Sequence, residues 1–234
     1  MKETFYLLSG NINPASDTDK IHLDMLKETG KDKPVIYLFA TASIGADWHQ
    51  SYVENISSIF AKYNCTFKII ENIEQIENES FENVDIIYFL GGSPYKHTTL
   101  APLKDKFKKV PIKAGTSAGA IYLGYHTFFI GKDDYVIAIP NMLDLINLHV
   151  LPHSETHKEE MVFNYLVNEI NVPTLRLYGQ AGLKIQKSST GNESVEVIMG
   201  GTNGNEEKIE MVINNRFYNS QQDKILNLDS TLIN

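Results

Sequence analysis

The sequence predicts an α/β protein built on a doubly wound, mostly parallel sheet, with short antiparallel strands toward its C-terminus. Three observations predict it. Short apolar runs alternate with helical patterns through the first two-thirds of the chain, as repeated βαβ units require. One of those runs, Val35 to Ala40, is nearly all apolar, as a parallel strand covered on both faces must be. From Gly182 onward the pattern becomes short strands separated by Gly and Asn turns.

Taken in order, Phe5 to Leu8 reads as a strand closed by Ser9-Gly10-Asn11. Asp17 to Glu28 carries Ile21, Leu23, Met25 and Leu26 among charges and is stopped by Gly30, which predicts a helix. Trp48 to Tyr63 has Val53, Ile56, Ile59 and Phe60 at helical spacing. Phe67 to Ile70, Val84 to Leu90 and Val110 to Ala114 are further strands, and Ala101 to Lys109 reads as a basic, mostly solvated connection. Glu159 to Ile170 is a helix ended by Pro173. Leu183 to Lys187, Val195 to Met199 and Lys208 to Ile213 form a terminal antiparallel portion packed on the main sheet. The Gly200 to Asn205 stretch is turn chemistry, because no Lys-Ser/Thr follows to make a phosphate loop. With no repeat and no dividing linker, residues 1–234 are expected to form one domain.

Composition narrows the function. The chain has 234 residues, 42% hydrophobic and 21% charged, with a formal net charge of −8. That charge argues against a phosphate-backbone partner, so no nucleic acid is expected. The apolar runs are too short to span a membrane, and the N-terminus lacks the pattern of a secretory leader. The expectation is a cytoplasmic protein without a membrane partner. One cysteine, Cys65 at the head of a strand, leaves no intrachain disulfide and no cysteine-rich metal site, and reads as a buried thiol.

Chemistry concentrates in Ile112-Lys113-Ala114-Gly115-Thr116-Ser117-Ala118-Gly119-Ala120-Ile121. An apolar strand runs into Gly-Thr-Ser-Ala-Gly and then a helical pattern, which is the G-x-S-x-G elbow of a serine nucleophile. Gly115 and Gly119 permit the tight crossing, and the N–H following the serine sits where it can stabilise an oxyanion. A plain glycine turn is the bland alternative, and the strand before and helix after weigh against it. Gly91-Gly92 closes another strand at its carboxyl end, where α/β sheets bind ligands; it can equally be a simple strand-ending turn. A serine needs a base, and a third segment, Leu143 to His153, ends in Pro152-His153. The residues alone leave His149, His153 and His157 open. Their i, i+4 spacing looks like a metal pattern, but Pro152 interrupts the helix such a site would need, so no metal and no cofactor are expected. His22, His97 and His126 read as structural or exposed, and Trp48-His49 could rim the pocket but read better as core packing.

At these three segments the sequence resembles the serine peptidase family of dipeptidase E and cyanophycinase, sparsely over residues 4 to 186. The resemblance implies a fold of the class I glutamine amidotransferase-like type with serine at the elbow. It implies Ser117 as nucleophile, His153 as base 36 residues on, and the N–H groups of Gly92 and Ala118 as oxyanion donors. Gly91, Ser93 and Lys158 are implied beside the substrate, a small peptide. The orienting acid is expected in Gly131-Lys132-Asp133-Asp134-Tyr135, as either Asp133 or Asp134, ahead of Asp144.

Three departures bear on specificity. Ser93-Pro94 follows the paired glycines where the family often has Asn or Thr. Val162 stands where the aspartyl dipeptidases have an Arg that pairs with the substrate's aspartate, and an Arg fork cannot be replaced by an isopropyl group. Dipeptidase E has a Glu in the loop that here reads Tyr178-Gly179-Gln180-Ala181-Gly182. The expectation is a serine-type hydrolase of a small peptide or related amide, without aspartyl specificity, and compatible with a homodimer. The alternative is a weak or inactive binding or regulatory member of the same fold. A glutamine amidotransferase is disfavoured, since Cys65 is not at an elbow.

Overall fold

In the computed structural model of the chain, the alternation along β1 (Glu3–Leu8) sends Phe5 and Leu7 into one apolar cluster and Tyr6 and Leu8 into another. The same division holds in β2 (Val35–Phe39) and β4 (Ile86–Phe89): Phe39, Ile87 and Phe89 face one way, and Ile36, Leu38, Ile86 and Tyr88 the other. Both faces of these strands are buried, which is why Phe5 to Leu8, β2 and β4 are apolar at every position rather than at every second one.

The structure describes residues 2–10, 18–125, 127–130, 136–139, 142–155, 157–187, 193–198, 209–213, 216–219 and 225–227. Besides β1, β2 and β4, the main sheet contains β3 (Thr66–Ile70), β5 (Ile112–Thr116), β10 (Gly182–Lys187), β11 (Glu193–Ile198) and β14 (Ile225–Asn227). Its order is β14-β11-β10-β1-β5-β4-β2-β3. The run from β1 to β3 is parallel throughout, and β10, β11 and β14 extend it antiparallel. Helices α1 (Thr18–Glu28) and α2 (His49–Ala61) cover one face with Ile21, Met25, Val53, Ile56 and Phe60. The other face is covered by the segment with α3 (Pro94–His97) and α4 (Lys104–Lys108), and by α5 (Ala118–Leu123). Helices on both faces of a parallel core make the sheet doubly wound, as expected.

Two sequence readings are corrected here. The 101–109 connection is not mostly solvated: Leu100, Leu103 and Phe107 are buried, and the Phe107 ring meets those of Phe39 and Phe89 at 5.2 and 5.3 Å. Four lysines and Pro102 mask a three-to-four-residue apolar spacing that turns one stripe inward. The C-terminal strands also do not all pack as extensions of the main sheet. A second sheet, ordered β13-β12-β9-β8, joins β12 (Ile209–Ile213) and β13 (Arg216–Asn219) to β9 (Thr174–Leu177) and β8 (His149–Leu151). A hairpin of β6 (Thr127–Ile130) and β7 (Val136–Ile139) stands apart in pairing. The predicted helix near 159–170 is α6 (His157–Tyr165), whose last turn widens over Leu166–Ile170. Cys65 lies one residue before β3, half-buried, and burial pushes its thiol pKa up. Among the described residues no helix is long and apolar enough to cross a membrane.

The elbow rests on contact between backbones. A Cβ on Gly119 would lie 1.9 Å from the carbonyl oxygen of Phe89, and one on Gly115 would lie 2.4 Å from the carbonyl carbon of Gly119. Gly119→Ala and Gly115→Ala should therefore each lower stability by about 2 kcal/mol or more, read by chemical denaturation. Gly30→Ala, with φ of +65° but open space around it, should cost only about 1 kcal/mol. Equal losses at all three positions would show that backbone conformation, not close approach, sets the cost.

Candidate active site

The carboxyl ends of the parallel strands converge on one edge, where an open α/β sheet places its ligands. β5 delivers Ser117, β4 delivers Gly91 and Gly92 through Leu90, and β1 delivers Ser9 and Gly10. Ser117 has φ 51° and ψ −116°, a conformation an L-residue holds only under constraint from its surroundings. That constraint comes from both sides: its N–H donates to the Leu8 carbonyl at 2.9 Å, and its carbonyl accepts from Ile121 N–H at 3.1 Å.

His153 reaches the serine from the opposite wall. Its Nε2 lies 2.9 Å from Ser117 Oγ. It too has positive φ, 55°, and its N–H donates to Ser9 Oγ at 3.0 Å, while the Ser9 hydroxyl donates to the Leu177 carbonyl at 3.1 Å. The next residue, Ser154, donates its N–H to the same carbonyl and accepts from Arg176 at 3.2 Å. A side chain at Gly10 would strike the imidazole, with its Cβ 2.2 Å from Cε1. The histidine is thus pinned by its backbone and packed ring-down on a bare glycine.

The donors around the serine sort themselves by occupancy. Gly91 N–H is taken by the Tyr52 hydroxyl at 2.9 Å, Ser93 N–H by the Ala42 carbonyl at 2.9 Å, and Ser117 N–H by Leu8. Among hydrogen bonds between described residues, the N–H groups of Gly92 and Ala118 have no such acceptor. Gly92 has φ +135°, and a Cβ there would meet the Ala42 carbonyl oxygen at 2.3 Å, so only glycine can make this turn. Burial pushes the Tyr52 phenol up to about 12, which keeps it neutral and able to accept from Gly91.

Two clefts meet at Ser117, Gly92 and His153. One, of about 320 Å3, is walled by Trp48 and Tyr52 with Gly10 and Gly91. The other, of about 250 Å3, is lined by Ile121, Leu151, Val162, Lys158 and Glu159. The structure therefore brings Ser117, His153, Gly91, Gly92, Ala118 and Lys158 to one place, with Ser93 next to Gly92. Asp133 and Asp134 lie outside the described residues. Asp144 faces Lys104 at 3.7 Å. Glu155 accepts the Gly179 N–H, so a carboxylate reaches the 178–182 loop from the turn after His153. His149, in β8, is buried against Tyr125, and His157 begins α6, so the three-histidine spacing never shares one helix. His22 and His97 are buried and structural, and His126 lies outside the described residues.

Sequence reasoning missed Ser9 and Tyr52, and it ranked the pocket-rim role of Trp48 below core packing. Trp48, read as core, is 48% exposed and lines the cleft, because it stands ahead of the buried face of α2 rather than on it. The strand-end rule was the available signal for Ser9: β1 closes with Ser9-Gly10 on the same edge as the elbow.

The model of peptidase family S51 matches residues 5–188. No curated protein sequence matches significantly. Among solved structures, the chain is similar to a peptidase from an acI-B1 actinobacterium, at TM-score 0.68 and 14% identity, covering 100% of this chain and 97% of that one. It is also similar to a protein of Listeria monocytogenes EGD-e assigned as a peptidase E, at TM-score 0.58 and 16% identity, covering 85% of this chain and 100% of that one. At these identities the likeness speaks for the fold.

The turn that carries Gly91 is held from behind by His97. Its Nε2–H donates to the Leu90 carbonyl at 2.8 Å, and its Nδ1 faces Thr41 Oγ1 at 2.6 Å. Burial pushes this imidazole down to about 4 from an ordinary 6.5. A pKa lowered by folding means the unfolded chain binds the proton more tightly. Stability is then full above about pH 6.5 and falls as pH drops toward 4, by about 3 kcal/mol. Urea denaturation at pH 7.5 and 4.5 should show this loss in the wild type and a clearly smaller one in His97→Gln. The same pH dependence in both proteins would assign the loss to other groups.

Proposed function

The chain belongs to peptidase family S51, a serine-type peptidase by that membership, and we propose that it hydrolyses a small peptide or related amide through an acyl-enzyme on Ser117. The observation that carries the proposal is the 2.9 Å contact between Ser117 Oγ and His153 Nε2. At that distance the neutral imidazole takes the hydroxyl proton as Oγ attacks the carbonyl carbon. The oxygen becomes an oxyanion between the Gly92 and Ala118 N–H groups, the donors without an acceptor among the described residues. The imidazolium then gives its proton to the leaving amine, the C–N bond breaks, and a water activated by the same histidine releases the acyl group. Either Asp133 or Asp134 orients the imidazole from its Nδ1 side.

The Val162 cleft receives the residue whose carbonyl is attacked. Its lining supports a neutral side chain: Ile121, Leu151 and Val162 are apolar, and the Lys158 ammonium is accompanied by the Glu159 carboxylate. A substrate carboxylate entering there would lose water and gain no bidentate partner. Gly91 lines the cleft before the oxyanion turn, and Ser93 follows Gly92 at the start of α3.

A fluorophosphonate probe should label the wild type at Ser117 and fail to label Ser117→Ala, which also loses hydrolysis while staying folded. His153→Ala should lower kcat by roughly three orders of magnitude or more, and one of Asp133→Asn and Asp134→Asn should follow it. An unlabelled wild type would favour the binding or regulatory alternative. For specificity, kcat/KM on Ala-Leu should equal or exceed that on Asp-Leu. A preference of about a hundredfold for Asp-Leu, about 2.7 kcal/mol of discrimination, would mean that Lys158 has taken over the missing arginine's work.

A further inference from the structure

We infer that the cleft walled by Trp48 and Tyr52 is the subsite for the leaving-group residue, and that it takes a large apolar or aromatic side chain. The inference rests on the hydrolase reading, in which the Val162 cleft holds the acyl side. A peptide whose carbonyl carbon sits at Ser117 Oγ must run from one cleft into the other, because both share Ser117, Gly92 and His153. The residue after the scissile bond then lies against Trp48.

The wall there is fixed rather than loosely displayed. Trp48 immediately precedes α2, and its carbonyl accepts from Tyr52 N–H at 3.0 Å and from the Ser51 hydroxyl at 3.0 Å. Its indole meets the Tyr52 ring edge-on, at 5.5 Å and 76°. Tyr52 is in turn tied to the oxyanion turn through Gly91. An indole 48% exposed beside a nucleophile presents apolar surface that a ligand ring can cover. Opposite it, Gly10 and Gly91 have no side chains to fill the space. Among the described residues the lining includes no Asp, Glu, Lys or Arg, in contrast to the Lys158 and Glu159 of the other cleft, so a charged side chain entering here would lose water without a partner among them.

Trp48 is the only tryptophan in the chain, so its fluorescence reports this cleft alone. With the inactive Ser117→Ala protein, titration with Ala-Phe should give a saturable emission change at a Kd at least tenfold below that for Ala-Gly. In the active protein the ratio of kcat/KM for Ala-Phe over Ala-Gly should fall at least tenfold in Trp48→Ala, and Trp48→Phe should restore most of it. An unmoved emission, equal Kd values, an unchanged ratio in Trp48→Ala, or a preference for Phe-Ala over Ala-Phe would each overturn the assignment. Failure of the hydrolase reading looks different: Ser117 would resist the fluorophosphonate probe while the fluorescence titration still reported binding.

Discussion

The Phe89 carbonyl lies where the side chain of any residue but glycine at position 119 would have to be. That contact sets the height of α5 above β4 and β5, and much of the site follows from it. With the helix backbone resting directly on the strand, the chain must turn within one residue, and Ser117 takes the strain at φ 51°. The turn aims Oγ off the sheet edge and brings the Ala118 N–H toward Gly92. A looser crossing would relax Ser117 and separate the two N–H groups. The positive φ, which costs about 1–3 kcal/mol locally, is held by bonds on both flanks of the residue, to Leu8 and from Ile121.

The remaining parts are assembled by hydrogen bonds that cross between strand ends. Ser9, after β1, accepts from His153 and donates to Leu177 in β9, so the sheet that carries Ser117 and the sheet that carries His153 share one hydroxyl. Tyr52 from α2 and His97 from α3 hold one peptide at the end of β4 from both sides, at its Gly91 N–H and its Leu90 carbonyl. Both partners are buried and uncharged near neutral pH for the same reason, desolvation, acting in opposite directions on a phenol and an imidazole. The described groups that hold the turn behind the serine are therefore neutral, and among the described residues lining the two clefts the charged side chains are Lys158 and Glu159, on one side.

How much of this was legible in the sequence depended on how local each determinant was. The elbow was legible because its glycines, serine and flanking patterns occupy ten consecutive residues whose geometry they largely decide themselves. The parallel core was legible because burial on both faces leaves continuous apolar runs. The choice of His153 over His149 and His157 needed the family resemblance, since what separates them is a hydroxyl on Ser9, 144 residues away. Trp48 was misread because an aromatic at the edge of an amphipathic helix looks the same whether it turns inward or toward a cleft, and only the tertiary setting decides. The split of the C-terminal strands between two sheets was invisible for a similar reason: alternation marks a strand but not its neighbour.

Arginine shows how a count in the sequence becomes a statement about chemistry. Of the chain's two arginines, Arg216 lies in β13, and Arg176 is buried in β9. Arg176 pairs with Glu210 at 3.2 Å, donates to the Ser154 carbonyl, and stacks over Phe163 and Tyr178 at 4.8 and 4.9 Å. It stands close in sequence space to nothing catalytic, yet it braces the turn that presents His153. Drawing it into a cleft to meet a substrate carboxylate would take a cation away from the buried Glu210, which also accepts from the Tyr178 hydroxyl at 2.7 Å. The Arg176 guanidinium is thus committed to the turn that carries His153. The cleft beside Val162 is lined instead by apolar side chains and by a lysine that shares its surroundings with a glutamate.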